Sequence, residues 1–271
     1  MLKETLLFTS IFLSQPAPAQ AVRLPVGSVY TRATAYSQQF SDAFSFAANQ
    51  ASLAGIQTFS AGVYSEHRFL LASLSQYSAA VVLPVNAGAF GFKADYFGQP
   101  AYNESALCLA YGRSLGNKAA VGMQFNYLAT KVSGYGHAGL VNFSASGLLH
   151  LTPQLSAGIQ AYNPAGTSWG KEGLERLPAV YSFGIGYDAS QQAFVGAEVE
   201  KVEDQAVAVN VGMHYRVAEK LVVRAGIHSA TAAYYFGGGV RLNRIRVDAT
   251  ATLHPYLGLT PGLLLLYSLK E

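Results

Sequence analysis

Apolar and polar residues alternate one by one along most of this chain, the period at which successive side chains point to opposite faces of a β-strand. Between 119 and 128, Ala119, Val121, Met123, Phe125 and Tyr127 share one face, and Ala120, Gly122, Gln124 and Asn126 the other. At 206–217, Val207, Val209, Val211, Met213, Tyr215 and Val217 alternate with Ala208, Asn210, Gly212, His214 and Arg216. At 244–253, Ile245, Val247, Ala249, Ala251 and Leu253 alternate with Arg244, Arg246, Asp248, Thr250 and Thr252. The pattern predicts strands at 58–66, 77–85, 87–97, 104–114, 118–130, 138–150, 153–163, 177–188, 191–201, 204–217, 219–231, 233–242, 244–254 and 260–270, fourteen in all. Each has the roughly ten residues that a tilted membrane-crossing strand needs.

The connections are of two kinds. Tight turns at Val85-Asn86-Ala87, Leu115-Gly116-Asn117, Leu151-Thr152-Pro153, Ala189-Ser190-Gln191, Ala218-Glu219 and Asn243-Arg244 alternate with mostly longer links, of which 164–176 is the largest. Outer-membrane barrels have short periplasmic turns and longer outer loops, and an even strand count returns the chain to its starting side. Gly237, Gly238 and Gly239 are candidates for a mid-membrane kink.

Composition decides what these strands face. Charged residues make up 12% of the chain and apolar ones 51%, so a soluble fold would expose large apolar patches. A soluble β-sandwich would show the same alternation, but the polar face here carries Gly, Ala, Ser, Asn and Gln rather than Lys and Glu, as the lining of a narrow lumen does. The expected fold class is all-β: a transmembrane antiparallel up-and-down barrel of about fourteen strands, integral to the bacterial outer membrane and in contact with lipid or lipopolysaccharide. The net charge of +3, spread along the chain, argues against nucleic acid. Tyr111, Tyr127, Tyr187 and Tyr215 are expected in the aromatic girdles.

The N-terminus departs from the alternation. Lys3, an apolar stretch from Leu6 to Leu13 and small residues at Ala17 and Ala19 read as a signal peptide over 1–19. Residues 20–57 form a plug-like segment, with Asp42, Phe44, Phe46, Asn49 and Leu53 its candidate contacts, and 58–271 form the barrel.

The segment DAFSFAANQASLAG and the terminal VDATATLHPYLGLTPGLLLLYSL hairpin resemble the FadL-like outer-membrane barrels, and among them the PorV/PorQ group associated with type IX secretion. Asp42, Ala43, Asn49, Gln50, Ala51, Ser52 and Leu53 follow the order of the N-terminal family motif, with Gln50 in place of its proline. The resemblance implies a barrel occluded by its N-terminal segment. It offers two roles: an accessory part of a type IX secretion or related surface-assembly complex, working through other outer-membrane or secretion proteins, or passive transport of hydrophobic small molecules. The first is the leading expectation.

Candidate chemistry is sparse. Glu198, Glu200, His214, Arg216, Arg224, Arg241, Arg244, Arg246 and Asp248 fall on the inward face, where opposite charges are expected to pair across the lumen and so cross-link the wall or hold the plug, a solute path lined by Arg being the alternative; Lys93 and Asp95 form a smaller pair. The loop residues Trp169, Lys171, Glu172 and Arg176 are candidates for a partner surface. His67 with Glu66, His137 with Ser133 and His254 with Asp248 have no spacing that specifies catalysis, and the six His residues show no paired metal-ligand spacing. No enzymatic activity, metal or cofactor is expected.

Overall fold

The computed structural model describes residues 28–32, 34–169 and 175–269. The signal-peptide segment lies outside them. Among the described residues fourteen strands close into one antiparallel barrel. They are β1 Ser60–His67, β2 Ser75–Val85, β3 Gly88–Gln99, β4 Tyr102–Leu115, β5 Ala119–Val132, β6 Gly136–His150 and β7 Leu155–Tyr162, then β8 Val180–Asp188, β9 Ala193–Val202, β10 Val207–Ala218, β11 Leu221–His228, β12 Ala233–Leu242, β13 Ile245–His254 and β14 Gly258–Ser268. Each strand pairs with its sequence neighbour, and β1 closes the wall on β14, from Ser60 opposite Ser268 to Glu66 opposite Gly262. The ladder slips at the end of β10, between Arg216 and Ala218.

Closure follows from the solvent. Lipid offers no partner to a backbone N–H or C=O, so the sheet can leave no edge. The alternation then sorts side chains by face: Val121, Met123, Phe125 and Tyr127 of β5 are exposed to lipid while Ala120, Gln124, Asn126 and Leu128 are buried inside. No described helix is long and apolar enough to cross a membrane. Tyr127, Tyr187 and Tyr215 lie exposed on the outer face, and the Tyr111 hydroxyl donates to the Ala87 carbonyl of the turn below it, 3.0 Å away. Turn chemistry matches the tight side: Gly116 and Asn243 hold positive φ, which these residues tolerate best.

The glycine run of β12 makes no kink. Gly237, Gly238 and Gly239 pair in unbroken register with Thr250, Ala249 and Asp248. Two of these glycines instead make room inward, since a Cβ on Gly237 would meet the Tyr30 ring at 2.6 Å and one on Gly239 the Asp248 carboxylate at 1.8 Å.

Residues 28–32 and 34–57 lie within the wall. A short helix, Val29–Arg32, leads through turns to two 3-10 segments, Ser45–Ala47 and Gln50–Gly55, before the chain joins β1. Tyr30, Phe44, Phe46 and Leu53 pack with Tyr64, Val82, Tyr235, Leu264 and Leu266 of the wall; Tyr36 and Phe40 pack with Leu148 and Phe194. A fully buried Phe or Leu contributes about 1.5–3 kcal/mol. Burial of Phe44, Phe46 and Leu53 therefore outweighs ion pairs, which roughly break even when taken out of water. Apolar packing holds the segment, and polar contacts fix where it sits.

Candidate functional site

The junction between the N-terminal segment and the wall concentrates the polar chemistry of the molecule. At its centre Arg224 of β11 has no exposed surface; its Nη2 donates to Asp42 Oδ2 at 2.7 Å and its Nε to His214 Nδ1 at 3.0 Å. The Tyr30 hydroxyl donates to Asp248 Oδ2 at 2.9 Å, and Asp248 is held by two bonds from Arg246, two residues earlier on β13. Phe40 stacks on His214 with ring centroids 4.5 Å apart.

A second anchor joins Arg32 to Glu198 at 2.8 Å and Glu200 at 3.2 Å, while the Tyr36 hydroxyl donates to Glu198 at 2.7 Å. Towards the tight-turn end, the Ser37 hydroxyl and the Gln38 backbone N–H donate to the two carboxylate oxygens of Asp188. Asn49 caps the Gln50–Gly55 turn by accepting from Ala51 N, and its amide donates to the carbonyls of Gly147 and Ile159.

Wall glycines shape the seat. A Cβ on Gly184 would lie 2.1 Å from the Tyr36 ring, and one on Gly122 would lie 2.4 Å from the Gln50 backbone. Gly184→Val is therefore expected to expel the Tyr36 ring from Glu198 and loosen the segment by about 1–3 kcal/mol. Limited proteolysis within 28–57 should become faster, while Gly238→Val, with nothing within 4 Å of its Cβ position, should leave it unchanged.

The far mouth is covered differently. Described residues between β7 and β8 lie over the lumen, where fully buried Leu177 packs with Ala106, Leu128 and Leu140, and Trp169 and Tyr162 lie against them. Asn163 braces this return by donating to the Leu177 carbonyl at 2.6 Å.

These positions revise several expectations. Of the two arrangements expected for the inward charges, Glu198, Glu200 and Arg224 hold the N-terminal segment rather than cross-link the wall, and Arg246–Asp248 and Lys93–Asp95 pair two residues apart on one strand. The filled lumen offers Glu198, Glu200 and Arg224 partners nearer than the opposite wall. Arg244 is exposed in the β12–β13 turn rather than in this group, because its strand begins one residue later. Trp169 turns inward; Arg176 is exposed and pairs with Glu203 at 3.4 Å; Lys171 and Glu172 lie outside the described residues. His67 contacts Ser75, and Asp248 is taken up by Arg246 and Tyr30 rather than His254.

Sequence reasoning missed Tyr30, Arg32, Tyr36, Ser37, Gln38 and Phe40, which lie upstream of the motif-like stretch. The signal available was the set of inward glycines: a lumen lined at Gly158, Gly184, Gly186 and Gly237 has bulky side chains from elsewhere to admit.

A closed barrel with an apolar outer belt and its own N-terminal segment inside is an integral outer-membrane protein. Its structural neighbours include outer-membrane channels and transporters and a FadL homologue. The CymD monoaromatic hydrocarbon channel matches with a TM-score of 0.59 at 12% identity, over 87% of this chain and 95% of that one. The Pseudomonas putida toluene transporter TodX matches at 0.61 and 10% identity, over 87% and 96%. A Pseudomonas aeruginosa FadL homologue matches at 0.58 and 11%, over 88% and 96%. At these identities the likeness is one of fold. No family model matches the chain, and no curated protein matches it.

Proposed function

We propose that this protein is a passive outer-membrane conduit for hydrophobic small molecules, held closed by its N-terminal segment in the state described. The observation that carries the reading is the pairing of a self-filled lumen with an apolar cover over the outer mouth, formed by Leu128, Leu140, Tyr162, Trp169 and Leu177. An open water-filled pore for polar solutes would gain nothing from either. The neighbours named above as hydrocarbon and toluene channels favour the same role over a secretion accessory.

The test is purification in mild detergent followed by native mass spectrometry, with uptake of radiolabelled toluene by cells expressing the protein. Bound apolar ligand and faster uptake than in empty cells support the conduit. Stoichiometric secretion proteins, with neither ligand nor uptake, would replace it with the accessory role.

A further inference from the structure

At the tight-turn end of β10–β13, four guanidiniums share the inward face with two carboxylates. Asp42 takes Arg224 and Asp248 takes Arg246, each at 2.7 Å. Arg216 and Arg241 have no ion pair among the described residues; Arg216 lies over the Phe40 ring, 5.5 Å from its centroid. Arg241 also stands directly opposite Arg246 in the β12–β13 register, a like-charge cross-strand pair that repels unless something neutralises it.

The donors are in excess as well. His214 Nδ1 accepts from Arg224, so the proton of a neutral imidazole sits on Nε2, and that N–H is buried with no partner among the described residues. Arg216 Nε and Arg224 Nη1 are buried and likewise have none among them, while Arg224 and His214 are 0% and 1% exposed. Buried polar groups are rarely left unbonded. The surplus positive charge and the planar guanidinium forks match a phosphate oxyanion, singly charged as a lipid diester or up to doubly charged as the free ion.

We propose that this cluster is a binding site for a phosphate-type oxyanion, gripped by Arg216 and Arg241 with Arg246 beside them and reached from the periplasmic mouth. The group is either free phosphate or the phosphate of an inner-leaflet lipid. The site is independent of the conduit role, since its test reads binding and not flux.

The test is thermal unfolding of delipidated protein in detergent, titrated with sodium phosphate or with sodium chloride at equal ionic strength. Phosphate should raise the melting temperature saturably by about 5 °C at saturation, and chloride should not. The R216Q/R241Q variant, which loses only unpaired charges, should fold without phosphate and show no such rise. Repeating the titration in phosphatidylglycerol nanodiscs separates the sources. A melting temperature already raised and indifferent to phosphate assigns the lipid, and an undiminished phosphate response assigns the free ion. Equal stabilisation by chloride, or of the variant, would overturn the site.

Discussion

Deleting residues 24–55 is expected to give a barrel that still inserts but conducts, with single-channel conductance in planar bilayers raised roughly tenfold over the intact protein, because a wall of this strand number encloses an aqueous lumen once emptied. The wall ladder is continuous from β1 round to the β1–β14 seam and uses no backbone bond from the deleted residues. Nor does deletion strand the wall charges: Glu198, Glu200 and Arg224, which lose Arg32 and Asp42, gain water instead. Unchanged conductance would show that wall side chains alone close the lumen.

Asp42→Ala should have the larger energetic effect, for the opposite reason. The substitution leaves the segment in place and strips the paired carboxylate from a guanidinium with no exposed surface. Breaking a buried ion pair on one side costs about 3–5 kcal/mol. The Asp42 carboxylate also accepts from Phe44 N at 3.0 Å, so the turn that presents Phe44 loses its brace. Hydrogen exchange across 34–57 should accelerate strongly while exchange in β4–β6 stays slow. Asp42→Asn, which keeps an acceptor oxygen for only one of the two donors, should recover part of the protection. Uniformly faster exchange throughout the wall would instead mean that segment and barrel unfold as one unit.

The wall was legible because a strand facing lipid on one side and a filled lumen on the other writes its two faces in alternate letters. β5 and β10 could be assigned residue by residue from that rule, and predicted and observed limits differ by at most three residues, as at the end of β11. The terminal Leu263–Leu266 run breaks the rule, because both faces are apolar there: Leu263 and Leu265 meet lipid while Leu264 and Leu266 meet the N-terminal segment. What was not legible was pairing. Nothing local joins Arg32 to Glu198 or Asp42 to Arg224, since these contacts exist only once the chain has been folded into its own barrel. The inward turn of Trp169 was hidden for the same reason, its neighbours being Ala106, Leu128 and Leu140 on other strands.

The seam carries one further consequence. Ile56 leaves the last 3-10 turn of the segment, Phe59 accepts a backbone bond from Leu269, and at Ser60 the chain becomes the strand that completes the circle. Closing the cylinder and stocking its interior are thus tied to one short stretch of chain. The filling is covalently continuous with the first stave, so whatever brings that stave to the last one to close the seam brings the filling with it.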